Sequence, residues 1–423
     1  MSGSLRPAAL AAAATVDPVA LVADLAALVR MPSVTGEEAA IAASLADRLD
    51  TLGMTVEVFH PDPAAIREDP AWPGEEVART VLPVVIGRAG RPGGRRLVLS
   101  GHMDVVPAGD PGTWTFDAFS GRVVDGELHG RGACDMKGGV ASILGAVRAL
   151  GVSGALGRLA GELVVAFVPS EEDGGQGTLA AIRAGVTGDM AIITEPSNLD
   201  LVIAHAGAIT FRLTVAGRAA HASRRTEGVS ALANLQTVVV ALEADEARRN
   251  AEEMDPLMTA LGLPYPTIIG TVAGGEWAST VMDRVTADGR YGVRLGQAPE
   301  DAEAELRACV AAACAADPFL RDHPVMVEVT GARFATARVP TDHELPVGLA
   351  ATAEAVTGRR PALLGVPYGA DMRLFTGVGE TPCVIFGPGD VRLAHGADER
   401  VPVDEVEACA RVLAAWVTQE LGA

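Results

Sequence analysis

The sequence predicts an α/β protein, in which a doubly wound, mainly parallel sheet forms a larger domain with a smaller α+β domain inserted into it. Three observations carry this expectation. The chain has 423 residues, more than the roughly 250–300 at which a single hydrophobic core stops growing. Apolar runs of strand length that do not alternate, such as residues 163–168, alternate with helical stretches, as strands buried on both faces of a parallel sheet do. From residue 209 the runs alternate with period two, which marks strands with one wet face, and after residue 334 the first pattern returns. The implied division is residues 1–207 and 334–423 for the larger domain and 208–333 for the insertion.

The elements follow in order. Residues 7–16 are alanine-rich behind Arg6 and imitate a secretory signal. Alanine is weakly apolar and the basic region is one arginine, so a short helix and a cytoplasmic protein are expected instead. Asp17 before Pro18 opens a helix over 19–29. Thr35 stands three residues before Glu38, a capping-box pattern for a helix over 35–52. Residues 61–76, rich in Pro, Asp and Glu, read as a surface excursion. Strands are expected at 97–99, 163–168 and 190–193, with a helix at 140–150 between the first two. In the insertion, strands at 209–215, 286–295 and 325–329 alternate with helices at 229–242 and 302–315. A helix at 345–356, a strand at 383–386 and a helix at 403–418 complete the chain.

Composition excludes several functions. A hydrophobic fraction of 49% and a charged fraction of 21% are those of a globular protein. No apolar run approaches the ~20 residues of a membrane-spanning helix. The formal net charge of −20 is repelled by phosphate backbones and anionic lipid, so neither nucleic acid nor a membrane surface is an expected partner. The single lysine, Lys137, precedes Gly138 and follows no glycine-rich phosphate loop. Five cysteines without a C-x-x-C pair indicate neither a disulfide framework nor a thiolate zinc site. G-x-S-x-G and H-E-x-x-H are absent. Gly377-Val378-Gly379 and Gly387-Pro388-Gly389 each lack the third glycine of a dinucleotide fingerprint.

Ligands of open α/β sheets bind at the carboxyl ends of the strands, and here every such end carries a histidine or a carboxylate. The strand before Ser100 runs into His102 and Asp104, the next into Glu171-Glu172-Asp173, and the third into Glu195. The 383–386 strand leads to a loop with His395, and Asp135 precedes the 140–150 helix. Singly, each has a commoner structural explanation: a packed histidine, a helix cap, a solvated acidic turn. Together they would crowd five carboxylates into one crevice. Two like charges 4 Å apart repel by about 4 kcal/mol at an effective dielectric of 20, and Lys137 alone cannot offset them. Two divalent cations would, and a set of histidines and carboxylates suits zinc and its neighbours, cobalt among them. His60, His129, His205, His323 and His343 read as packing, capping or loop residues.

At these residues the sequence resembles the dinuclear zinc hydrolases of the acetylornithine deacetylase, succinyl-diaminopimelate desuccinylase, aminoacylase and carboxypeptidase G family. The matching segments are Ser100-Gly101-His102-Met103-Asp104-Val105-Val106-Pro107, Gly130-Arg131-Gly132-Ala133-Cys134-Asp135-Met136-Lys137-Gly138-Gly139 and Ser170-Glu171-Glu172. Thr194-Glu195-Pro196, Gly217-Arg218-Ala219-Ala220-His221-Ala222-Ser223 and Ala394-His395-Gly396-Ala397-Asp398-Glu399 complete the set, in the family's order. The resemblance implies that Asp135 bridges two metals, that His102 and Glu195 hold one, and that Glu172 and His395 hold the other. It implies that Glu171 is the general base for a hydroxide bridging the metals and that Asp104 hydrogen-bonds the far nitrogen of His102. It also implies that the insertion is a lid that dimerises and that His221 on this lid stabilises the oxyanion.

The expected reaction is removal of an acetyl- or succinyl-type acyl group from an N-acyl amino acid. Cleavage of a dipeptide or of a C-terminal residue is the alternative on the same scaffold, and a non-catalytic binding protein the reading of another class. Departures concern the substrate. Ser279 stands where the family often has Asn after Gly274-Gly275, and Met282 where it has Pro. Arg290, in Asp288-Gly289-Arg290, and Arg373, in Asp371-Met372-Arg373, are candidates to pair with a substrate carboxylate; an ordinary salt bridge would equally explain either.

Overall fold

A computed structural model describes residues 5–422. It divides into two compact units: Met1–Ile203 with Arg338–Leu364 and Asp371–Ala423, and Ala204–Ala337 with Gly365–Ala370. The second unit thus takes in residues 365–370, which the sequence places in the larger domain.

The heart of the first unit is a sheet whose four central strands are parallel, in the order Glu162–Val168, Arg96–His102, Met190–Ile193 and Cys383–Ile385. The strand Glu162–Val168 is buried along its whole length, as its unbroken apolar run requires. Three further strands, each paired antiparallel with its inner neighbour, were not foreseen: Val84–Gly90 and then Thr55–Phe59 on one side and Leu201–His205 on the other. Thr55–Phe59 is a short, largely solvated edge strand, and Gly87 and Arg88 interrupt the apolar run of Val84–Gly90. The helices Pro18–Val29, Gly138–Val152 and Val403–Leu421 pack together. Asp17 caps the first of them, accepting from the amides of Val19 and Ala20. The alanine-rich stretch is a helix, Pro7–Ala14, whose Ala9 and Ala13 pack on Ala415.

The Thr35–Glu38 capping box does not form. The helix begins at Ala39, and both residues are turned to other work: Thr35 donates its hydroxyl to Asp104, and Glu38 pairs with Arg79. A local pattern has been overridden by buried polar groups that need partners.

In the second unit the strands Thr267–Gly274, Arg284–Val293, Gly207–Ala216 and Met326–Phe334 form one antiparallel sheet in that order. The helices Ala231–Ala251 and Pro299–Ala316 cover one face, enclosing Phe211, Leu213, Leu235, Val285 and Leu306. The first strand had no clear signal because it lies at the edge, is mostly exposed and contains glycine. Among the described residues no single helix is long and apolar enough to cross a membrane.

Candidate metal centre

The strand Arg96–His102 ends on His102, whose side chain is buried. Its Nε2 lies 3.0 Å from Oδ1 of Asp135 and 3.6 Å from Oε1 of Glu195. Asp135 sits in an irregular turn before the helix Gly138–Val152, and its peptide bond to Met136 is cis. Its other oxygen, Oδ2, lies 3.5 Å from Nε2 of His395, which is 3.0 Å from Oε2 of Glu172. Asp135 therefore turns one oxygen to each imidazole. All five residues predicted as ligands come together at one rim of the sheet. Ligand atoms of His102, Asp135 and Glu172 lie within 4.8 Å of one another, as do those of His102, Glu171 and Glu195. Glu171 is thus beside the predicted ligands as well.

This density of charge is visible in the titration of the groups. Burial pushes Glu195 up to about 8 against the pull of His102. Burial, with Asp371 and Glu195, holds Glu171 well above the usual carboxylate range. Asp135 goes the other way: burial opposes its charge, yet hydrogen bonds from His102 and His395 keep it ionised far into acid. Hydrogen bonds to Asp135 and Glu172 raise His395 to about 10. Burial works against a charged His102, but Glu195 and Asp135 raise it well above 6.5. Nitrogen and carboxylate oxygen donors converging around a carboxylate with both oxygens engaged fit two divalent ions.

Asp104 behaves differently from its expected role. The far nitrogen of His102, Nδ1, is 2.9 Å from the main-chain carbonyl oxygen of Asp104 and 3.7 Å from its carboxylate. The carbonyl holds the ring. The carboxylate, fully buried, instead accepts from the backbone amides of Glu171 (3.2 Å) and Glu172 (3.3 Å) and from the Thr35 hydroxyl (3.1 Å). It fixes the turn that presents those two glutamates.

Two further residues were quoted from their motifs without a role. Glu399 accepts through Oε1 from the amides of Cys134 and Asp135, and through Oε2 from Nη1 of buried Arg131. Nη2 of Arg131 donates to the main-chain carbonyl of His395. One ion pair thus ties Asp135 to the loop of His395. Arg131 and Glu399 are 268 positions apart, so no local pattern announces the pair. Gly139 has a steric role: a Cβ there would stand 2.0 Å from the carbonyl oxygen of Thr194, so only glycine lets the helix start approach the segment carrying Glu195. Lys137 is buried, donates to the main-chain oxygen of Met31, and burial lowers it to about 7.

The remaining candidates are placed as follows. Arg373 is buried, and its Nη2 donates to the main-chain oxygen of Gly174 at 2.6 Å, with Nη1 3.7 Å from Asp371. Its guanidinium is engaged with the Glu171 turn. In the second unit, Ser279 and His221 lie on adjacent exposed segments: the Ala222 amide donates to the Ser279 carbonyl, and His221 bridges to Thr280. Nδ1 of His221 lies 2.8 Å from the Ser223 hydroxyl and accepts from the Ser223 amide, so Nε2 is the nitrogen left free of these contacts. Arg290 donates from Nη2 to the Pro367 carbonyl, and burial lowers its pKa. His343 caps the helix Glu344–Thr357 and His323 stacks on Phe319.

Comparison with known proteins gives a consistent result. The sequence is similar to a succinyl-diaminopimelate desuccinylase of Methylorubrum extorquens (strain PA1), with 31% identity over 405 residues, 90% of this chain and 94% of that protein. The fold is similar to that of the di-peptidase Dug1p from Saccharomyces cerevisiae, with a TM-score of 0.73 and 15% identity over 98% of each chain. It is also similar to the M20 family metallo-carboxypeptidase Sso-CP2 from Sulfolobus solfataricus, with a TM-score of 0.72 and 15% identity over 94% of this chain and 98% of that one. The description of Peptidase family M20/M25/M40 matches residues 98–419, the span that contains every residue of the centre, and the chain belongs to that family.

Proposed function

We propose that this protein is a two-metal amidohydrolase that removes a succinyl- or acetyl-type group from an N-acyl amino acid. The observation that carries the reading is Asp135, whose two oxygens face the imidazoles of His102 and His395. Asp135 would bridge the ions, with His102 and Glu195 on one side and Glu172 and His395 on the other. Zinc suits this donor set, and cobalt is the natural substitute. When bound, such ions polarise an amide carbonyl and lower the pKa of water from 15.7 towards ~7.

The chain's own residues do the rest. As the water oxygen bonds to the amide carbon, Glu171 takes the water's proton. It then delivers that proton to the departing nitrogen as the C–N bond breaks. Asp104 and the Glu171–Glu172 amides keep the base in place. Nε2 of His221 is suited to donate to the oxyanion, from its own subunit or a partner's. Ser279, beside it, and Arg290 are the proposed substrate contacts; Arg373 is assigned to the turn instead. We further read the enzyme as cytoplasmic, in keeping with five unpaired cysteines. We also read it as a homodimer through the second unit, whose edge strand exposes Ile268 and Val272; a monomer in sedimentation equilibrium would refute the dimer.

The desuccinylase name of the sequence relative favours the acyl substrate; the peptidase names of the structural neighbours keep dipeptide and C-terminal cleavage as the alternative. The test is kinetics on N-succinyl-diaminopimelate, N-acetylornithine and a dipeptide panel, with metal content measured on the same preparation. The expected result is preference for an N-acyl substrate, loss of activity on chelation and recovery with zinc or cobalt. Full activity after complete removal of metal would end the reading.

A further inference from the structure

The turn that presents Glu171 is held from a direction that none of the site motifs accounts for. Arg79 lies after the helix Pro63–Arg67, three residues beyond the 61–76 stretch that composition marks as a surface excursion. Its side chain is nevertheless fully buried. Nη1 donates to Oε1 of Glu38 at 3.0 Å and Nη2 donates to Oδ1 of Asp173 at 2.8 Å; both carboxylates are buried. Asp173 follows Glu171-Glu172 directly. Its Oδ1 also accepts from the Ser170 hydroxyl, and its Oδ2 from the Val77 amide at 3.1 Å. Glu38 accepts from the Gly36 amide at 2.8 Å. The far end of the same segment, Thr35, binds Asp104, which in turn holds the amides of Glu171 and Glu172. The path is closed: from Arg79 through Asp173 to the turn, and through Glu38, Thr35 and Asp104 back to it.

A guanidinium is a planar fork with fixed donor directions. One placed across two carboxylates on separate segments sets their distance and orientation. Nothing at the surface requires this. A buried ion pair is expensive to form and stabilises a fold little beyond what apolar residues of equal volume would. Here the two carboxylates belong to the segments that clamp the two glutamates. Ser170 has a positive φ of 70°, a conformation a serine holds only when its surroundings impose it.

We propose that Arg79 is a positioning residue for the reaction, which aims Glu171 by fixing its turn against the Thr35–Glu38 segment. The proposal rests on the assignment of Glu171 as the base. It also explains why the Thr35–Glu38 pattern makes no helix cap.

The test compares Arg79→Met and Arg79→Lys with the parent enzyme at saturating zinc. Bound metal, the melting temperature, kcat and KM are measured, and amide hydrogen exchange is followed across residues 168–178. Arg79→Met is expected to keep two zinc ions and a KM within about threefold, and to lose about 10²-fold in kcat, the usual consequence of displacing a reacting group by ~1 Å. Exchange at Glu171, Glu172 and Gly174 is expected to rise at least about tenfold while the strand Glu162–Val168 stays protected. Arg79→Lys, which keeps the charge without the fork, should recover part of both. A kcat within twofold of the parent for Arg79→Met overturns the proposal. So does a kcat loss without faster exchange at the turn, or with an equal rise everywhere. If Arg79→Met does not fold, Asp173→Asn must show the same split, and parental kcat in that variant is equally fatal. Should the parent hydrolyse none of the amides, the functional reading fails while the exchange arm still decides whether Arg79 fixes the turn.

Discussion

Replacing Asp104 separates two accounts of this centre. If its carboxylate oriented His102, Asp104→Ala would loosen a metal ligand. The structure gives that task to the main-chain carbonyl of residue 104, 2.9 Å from Nδ1, which survives any side-chain change. Asp104→Ala instead leaves the part-buried amides of Glu171 and Glu172 without their acceptor. The Thr35 hydroxyl keeps a second acceptor in the Val105 carbonyl. Two orphaned donors at about 1–3 kcal/mol each predict a loss of about 2–6 kcal/mol in folding stability. With the turn released, kcat should fall about 10²-fold if Glu171 shifts by ~1 Å. Asp104→Asn should lie between, because its amide offers one acceptor where the carboxylate offered two. Urea denaturation at fixed zinc, with elemental analysis and steady-state kinetics on the same samples, measures all three quantities. The expected pattern is two zinc ions per chain, a lower denaturation midpoint and a depressed kcat. An unchanged midpoint together with loss of one zinc would show that the carboxylate serves His102 after all.

Glu171→Gln keeps the shape of the side chain and removes its basicity. It should retain both metals and lose about 10²–10⁴-fold in kcat, the contribution of a positioned general base; turnover near the parent's would withdraw the assignment. Gly139→Ala places a methyl 2.0 Å from the Thr194 carbonyl oxygen, backbone that cannot swing aside. It should destabilise the protein by about 1–3 kcal/mol, the usual cost of overpacking, and weaken zinc retention through displacement of Glu195. A melting temperature and zinc affinity equal to the parent's would show that the helix start yields freely.

Four of the five proposed ligands were legible because each follows a strong local signal. His102, Glu172 and Glu195 stand at the ends of apolar strands, and Asp135 stands before an apolar helix. The secondary structure alone therefore delivers them to one rim. Of the unforeseen strands, Leu201–His205 carries such an apolar, buried run, whereas Thr55–Phe59, Val84–Gly90 and Thr267–Gly274 lack that signal. Edge position and glycine remove the unbroken apolar run, and their pairing is decided by neighbours distant in the chain. The Thr35–Glu38 pattern failed for a related reason. A capping box is worth about 1 kcal/mol, less than the penalty of leaving Asp104 and Arg79 buried without partners.

The sequence by itself determined the fold class and pointed to an insertion and to the residues proposed to hold two cations, since periodicity and charge are properties of short segments. Only the tertiary structure decided which groups hold those residues in place. The Asp104 carboxylate serves the Glu171 turn, Arg373 is turned to Gly174, Arg131 and Glu399 join Asp135 to His395, and Arg79 spans Glu38 and Asp173. Each of these is a buried polar group held by a partner from another segment. Burial creates the demand and the packing of remote segments supplies the answer, so neither is written in any one stretch of the chain.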